Sequence, residues 1–197
     1  MSRRAWDLLY RNDRHPWKGG QDVELPLTGT VLELGIGNGK GLSALPQGAR
    51  VIGLDFSRPA LLSCRERTAV QLVQADLLSL PFRDGCMDGI AASHVLGHLD
   101  GEGRRRAASE IVRVLAPQGL LYVSVFGEED MRCGKGKEME ERTYLRGNGI
   151  ACHYFLEGEV PGLFPTLTLE RHWERRLDKR YHGRPEVRQE RRYLFRG

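Results

Sequence analysis

Apolar residues in the first 125 positions fall into short runs that end in glycine or in an acid, with amphipathic stretches between them. Val31-Leu-Glu-Leu34 is the first such run and leads directly into glycines at 35, 37 and 39. Arg50-Val-Ile-Gly-Leu-Asp55 and Ala69-Val-Gln-Leu-Val-Gln-Ala-Asp76 repeat the pattern, each closing on an acid. Between these two, Ser57 to Arg67 has Pro59 near its start and apolar residues at 60, 61 and 64, which predicts a helix capped by Ser57. The stretch after the glycines also reads as the start of a helix. Strand, helix, strand, helix, strand is the signature of an α/β sheet, whose strand ends open onto one crevice.

The later pattern is different. Thr166 to Leu177 and Val187 to Phe195 both alternate, and a turn at Tyr181-His-Gly-Arg-Pro185 separates them, so they predict a long antiparallel hairpin. Residues 127–149 are crowded with charge and glycine and read as a disordered segment or a mobile cover on the crevice. Gly149-Ile-Ala-Cys-His-Tyr-Phe155 follows, then a helix is predicted over Glu157 to Phe164. At the other end, Trp6, Tyr10 and Trp17 are costly to leave in water, so residues 1–20 are expected to fold as a short helix and loop over the sheet edge. The whole reads as a single domain over 1–197, with residues 127–155 as the active-site cover and no internal repeat.

Glycines at the end of a strand leave backbone N–H groups open around a small cavity. Their spacing fits neither phosphate motif. A dinucleotide fingerprint needs its third glycine one position later, and a phosphate loop needs Ser or Thr after Lys40, where Gly41 stands. Asp55 and Asp76, at two neighbouring strand ends, could accept from a ribose diol and from an exocyclic amine, or each could serve only as a cap or turn residue.

In this arrangement the chain resembles the class I S-adenosylmethionine-dependent methyltransferases. Glu33-Leu-Gly-Ile-Gly-Asn-Gly39 is similar to that family's first motif, Gly53-Leu-Asp-Phe-Ser57 to its second, and Gln74-Ala-Asp-Leu77 to its third. Pro81 to Ile90 and Glu110 to Gly119 resemble the approaches to its fourth and fifth strands. The resemblance implies a Rossmann-like fold: a mostly parallel seven-stranded sheet flanked by helices, with the C-terminal antiparallel hairpin completing it. It implies S-adenosyl-L-methionine as cofactor, held by Glu33, Gly35, Gly37, Asn38, Gly39, Asp55, Phe56, Ser57, Asp76 and Leu77. Ser93 is expected to border the methionine half, with Tyr10 and Trp17 as the lid. One departure is Pro117-Gln-Gly119, where the family has Pro-Gly-Gly, which a turn tolerates if residue 118 keeps ordinary dihedrals.

Candidate catalytic residues are His98, His153 and Tyr154. His94 and His98 are four apart, on one face if the segment is helical. Arg146-Gly-Asn-Gly-Ile150 followed by His153-Tyr-Phe155 resembles a largely uncharacterised, mainly archaeal branch of the family, which suggests His153 as a base and Tyr154 as an orienting hydroxyl. A structural role for each is the alternative.

Charge bears on the acceptor. The formal net charge is +4, and residues 171–197 hold ten Arg or Lys against four acids. Such a hairpin can meet phosphates or simply be a solvated face. The length leaves no room for a separate RNA module, so a small-molecule acceptor is the main expectation. RNA methylation is the alternative, as is a non-catalytic cofactor-binding or assembly role. Four cysteines without a Cys-x-x-Cys pair and without a secretory segment predict reduced thiols, a cytoplasmic location, no metal and no membrane. A monomer or homodimer is expected.

Overall fold

The computed structural model describes residues 2–13, 15–16, 23–181 and 183–197. Trp17, expected in the lid, lies outside the described residues. The predicted α/β pattern forms strands β1 (Thr30–Leu34), β2 (Arg50–Asp55), β3 (Gln71–Gln74), β4 (Met87–Ser93) and β5 (Leu115–Phe126). Helices α1 (Arg3–Asn12), α2 (Arg58–Arg65) and α3 (Gly101–Val114) accompany them. The hairpin is β9 (Thr168–Tyr181) and β10 (Arg184–Arg196). All seven strands form one sheet in the order β3-β2-β1-β4-β5-β10-β9. The first five are parallel, and β10 runs antiparallel between β5 and β9.

Alternation along β1 divides the core. Leu32 and Leu34 pack with Ala107, Ala108, Ile111 and Val114 of α3, while Val31 faces Leu25, Leu27 and Tyr122. Each fully buried Leu or Ile contributes about 2 kcal/mol to this packing. Glu33 is the exception on β1: it is buried at 4% exposure among these apolar neighbours. A carboxyl in such a place needs a reason beyond packing.

The cap expected at Ser57 forms, and α3 has a second cap that was not read from the sequence. Ser57 caps α2, accepting from Ala60 N–H at 3.4 Å, and Asp100 caps α3, accepting from Gly103 N–H at 2.7 Å. The helix expected after the glycines is instead a 3-10 turn over Lys40–Ala44. Gly39 and Gly41 favour the coil, and Pro46 disfavours helical dihedrals at Leu45, so three residues of nucleus gain little.

The region expected to be a mobile cover is folded. Strands β6 (Lys137–Glu140), β7 (Thr143–Leu145) and β8 (Ala151–His153) form an antiparallel sheet, and α4 (Glu159–Leu163) follows, shorter than the predicted helix. Buried Arg191 of β10 secures the region, donating to Glu128 and to the Phe155 carbonyl. Charge here is spent on internal pairing, which composition alone cannot distinguish from solvation.

Gln118 departs from the expectation of ordinary dihedrals. Its φ is 64°, in the left-handed region, and its amide N–H donates to Gly197 O at 3.1 Å. That conformation costs a non-glycine residue about 1 kcal/mol. Gln118→Gly is therefore expected to raise stability by about 0.5 kcal/mol, after the larger entropy loss of glycine on folding. A urea midpoint below that of the wild type would show that the Gln118 side chain matters more than its backbone strain.

Candidate active site

The order of strands reverses between β1 and β4, and a cavity of about 450 Å³ opens at their carboxyl ends. One half is made by the motifs read from sequence. Gly35, Gly37 and Gly39 take φ of 66°, 55° and 78°, which L side chains rarely adopt. A Cβ on Gly37 would lie 2.3 Å from the Tyr10 hydroxyl, so glycine here lets the Tyr10 side chain of α1 pack against the turn. Asp55 ends β2 and ties two turns together: Gly37 N–H donates to its Oδ2 at 3.0 Å and Ser57 N–H to its Oδ1 at 2.9 Å.

These residues line the cavity together: Tyr10, Glu33, Gly35, Gly37, Asn38, Asp55, Phe56, Asp76, Leu77, Ser93 and His98. Gly39 and Ser57 stand behind them. Gly39 N–H donates to Ile36 O at 2.9 Å, and the Ser57 hydroxyl donates to Asp7 of α1 at 2.7 Å, so both shape the wall. Asp76 has one carboxylate oxygen taken by Leu78 N–H at 3.0 Å. His153 and Tyr154 are not brought to the cavity. His153 is buried between Thr143 Oγ1 at 2.7 Å and Glu159 Oε1 at 3.3 Å, and Tyr154 is fully buried against Tyr144. β8 instead presents Cys152 to the cavity.

Burial tunes the acids and imidazoles on these walls. Desolvation pushes the Glu33 carboxyl up to about 8 and the Asp55 carboxyl up to about 6, the latter opposed by its backbone donors. His98 donates Nδ1–H to Ala151 O at 2.7 Å and packs edge-on to Trp6, and burial lowers its pKa. That hydrogen bond fixes the proton on Nδ1 and leaves a lone pair on Nε2.

Of the other half, only the His94 and His98 pair and the overall charge of the hairpin stood out in the sequence. His94 and His98 do not share a helical face, because only a 3-10 turn forms over Leu96–His98 and His94 has φ of 59°. His94 is held there by its N–H bond to Ser124 O at 2.8 Å and by stacking on Phe126 at 4.1 Å. Burial pushes its pKa down to about 4. Arg132 and Arg188 also lie over Phe126, at 4.4 and 4.6 Å from the ring centroid. Arg175, Leu177 and Lys179 of β9, with Arg188, Glu190 and Arg192 of β10, complete the wall. Their signal lay in the hairpin alternation: cross-strand register sets Glu190 opposite Arg175 and Arg188 opposite Leu177.

Residues 32–123 match the model of a methyltransferase domain. Across most of its length the chain also superposes on a SAM-dependent methyltransferase from Methanosarcina mazei, with a TM-score of 0.68 at 21% identity, covering 87% of this chain and 93% of that one. Residues 32–123 carry a methyltransferase domain, on the class I S-adenosylmethionine-dependent methyltransferase fold. In sequence, the chain is 38% identical over 106 residues to the tRNA (carboxymethyluridine(34)-5-O)-methyltransferase of Arabidopsis thaliana, covering 53% of this chain and 26% of the relative. It is 30% identical over 198 residues to tRNA N(3)-methylcytidine methyltransferase Mettl2 of Drosophila melanogaster, covering 84% of this chain and 61% of that protein. The chain thus spans only about a quarter of the first relative and three fifths of the second.

The residues present fit the family's cofactor. Glu33 Oε2 is buried without a hydrogen-bond partner on the cavity wall, which suits a cationic or N–H donor group, and the glycine turn leaves room for a ligand against backbone. Asp55 and Phe56 offer a carboxylate and an aromatic face beside it. Among the described residues no group of His, Cys, Asp and Glu is arranged to hold a metal, and no helix is long and apolar enough to cross a membrane.

Proposed function

We propose that this methyltransferase methylates RNA, with a tRNA as the first substrate to test. The observation that carries the reading is the cationic wall. Arg175, Lys179, Arg188 and Arg192 face the same cavity as Asp55 and Phe56, so a basic surface is continuous with the cofactor site. A small neutral acceptor needs no such wall, whereas a phosphate backbone is attracted to it and releases counterions on binding. Both relatives described above act on tRNA by name, which supports RNA over the small-molecule acceptor that length alone favoured.

S-adenosylmethionine, when bound, supplies an electrophilic methyl group on a sulfonium. The chain supplies position and a dry, shaped pocket. Asp55 and Phe56 hold the nucleoside side, Glu33 and the glycine turn the amino-acid side, and α1 closes over them through Tyr10 and Trp6. His98 keeps a lone pair on Nε2 at neutral pH and is the residue to receive a proton if the acceptor carries one. His153 supports the cover through Thr143 and Glu159.

The test is transfer of labelled methyl groups from the cofactor to bulk tRNA and, separately, to the small-metabolite fraction of the same cells. Label is expected in tRNA, with transfer falling more than about tenfold between 50 and 200 mM salt. Label confined to small metabolites would reject the RNA acceptor.

A further inference from the structure

We infer that Arg132 and Arg188 form a receptor for an anionic oxygen group on the acceptor nucleotide, a deepening that rests on the RNA reading. Four observations converge. Both guanidiniums lie over the Phe126 ring on the cavity wall, one from the cover and one from β10. They share a single counter-ion: Asp130 accepts Arg132 Nε on Oδ1 at 3.1 Å and Arg188 Nε on Oδ2 at 2.6 Å, leaving the trio one positive charge in excess. The nearest other acid on the wall, Glu190, is engaged by Arg192 Nε at 2.9 Å and lies 3.7 Å from His94 Nε2. Finally, Arg132 Nη2 is buried without a hydrogen-bond partner, and so is His94 Nδ1 beside the same ring.

A buried guanidinium N–H with nothing to donate to is costly, and its fork geometry matches two oxygens of one anion. The Asp130 pairs hold each Nε and so aim the outer nitrogens. Phe126 supports the two cations from below, and His94, stacked on that ring, adds no competing charge.

Two parts of an RNA carry such oxygens: a carboxylate on a modified base, or a phosphate next to the acceptor base. If the carboxylate is itself the acceptor, one of its oxygens forms the O–CH3 bond as the C–S bond breaks, and that electron pair stays on sulfur. The carboxylate and sulfonium charges cancel, and no proton has to leave. If the phosphate is held, the acceptor atom is elsewhere on the base and its proton goes to His98.

The experiment compares two RNA hairpins of one sequence, with uridine or carboxymethyluridine at one loop position. Binding is measured by fluorescence anisotropy with S-adenosylhomocysteine present. The proteins are the wild type, Arg132→Gln, Arg188→Gln, and Arg176→Gln as a control whose side chain is half exposed and paired with Glu129 and Glu174. Carboxylate recognition is shown if the wild type prefers the carboxymethyl hairpin at least tenfold and Arg132→Gln loses that preference. Phosphate recognition is shown if the wild type binds both hairpins equally and Arg132→Gln weakens both about fivefold, with a salt slope smaller by about one. Either result supports the receptor. It is overturned if Arg132→Gln and Arg188→Gln bind both hairpins like the wild type while retaining the cofactor product. Wild type that binds neither hairpin nor bulk tRNA overturns the RNA reading and the receptor with it. Should Arg132→Gln lose the cofactor product too, Arg188→Gln decides.

Discussion

Asp130→Ala is expected to destabilise the protein by about 3 kcal/mol and to abolish methyl transfer. The Asp130 side chain is fully buried, and four donors converge on it: Arg132 N–H at 3.0 Å, Arg132 Nε at 3.1 Å, Arg188 Nε at 2.6 Å and Gln189 N–H at 3.3 Å. Its removal leaves two backbone donors without a carboxylate and two guanidiniums repelling each other over one ring. The guanidiniums are 21% and 27% exposed, which places the loss at the low end of what an uncompensated buried charge costs. Asp130→Asn keeps one acceptor oxygen and should lose about half as much. The measurement is the urea midpoint of each variant, with cofactor binding as a check on the remaining site. An Asp130→Ala protein that unfolds at the wild-type midpoint would mean that the cover and hairpin are joined by other contacts, chiefly those of Arg191.

Glu33→Gln should act in opposite directions on stability and on ligand binding. Burial holds the Glu33 carboxyl at about 8, above its unfolded value of 4.5, so the folded state keeps a proton that the unfolded state gives up. Folding therefore gains from Glu33 fully below pH 4.5, and the gain is lost as pH rises through 8. The accumulated penalty at pH 7 is about 3 kcal/mol from the size of the shift. Glutamine carries no such proton linkage, so the ligand-free variant is expected to match the wild type near pH 4.5 and to exceed its stability by about 4 kcal/mol at pH 8. A cofactor whose donors engage Glu33 favours the ionised form. Binding to the wild type should then tighten as pH rises from 6 to 8 and release nearly one proton at pH 7. The release is read from the dependence of calorimetric enthalpy on buffer ionisation. Glu33→Gln should release none and bind about 10- to 100-fold more weakly, the loss of a charge-assisted hydrogen bond. Equal proton release by both proteins would show that the proton does not come from Glu33; Asp55, held near 6, is already mostly ionised at pH 7 and could supply only about a tenth of it.

The glycine-turn half of the cavity was legible because it is built from backbone and strand ends. Positive φ demands glycine at 35, 37 and 39, and an acid closing β2 leaves its mark in the sequence as Asp55. The hairpin was legible from its alternation. The hairpin half of the cavity was hidden for physical reasons. Arg132 and Arg188 are 56 positions apart and meet only through Asp130, in a segment whose charge density resembles that of a disordered chain. His94 owes its place to a left-handed dihedral and to the face of Phe126, neither of which has a periodic signature. His153 was suggested by the resemblance of its segment to one branch of the family, whereas the partners that hold it away from the cavity, Thr143 and Glu159, left no mark beside it in the sequence.

The position of β10 has a consequence for the birth of the molecule. It is formed by residues 184–196, yet in the sheet it separates β5 from β9 and carries Arg188, Glu190 and Arg192 to the cavity. A nascent chain can close the glycine turn and the first five strands while β10 is still inside the ribosome. β9 then has no partner, and the basic wall does not exist. The glycine-turn half of the cavity is thus assembled before its basic half, so a half-made chain has no finished cationic wall to offer to the phosphates around it.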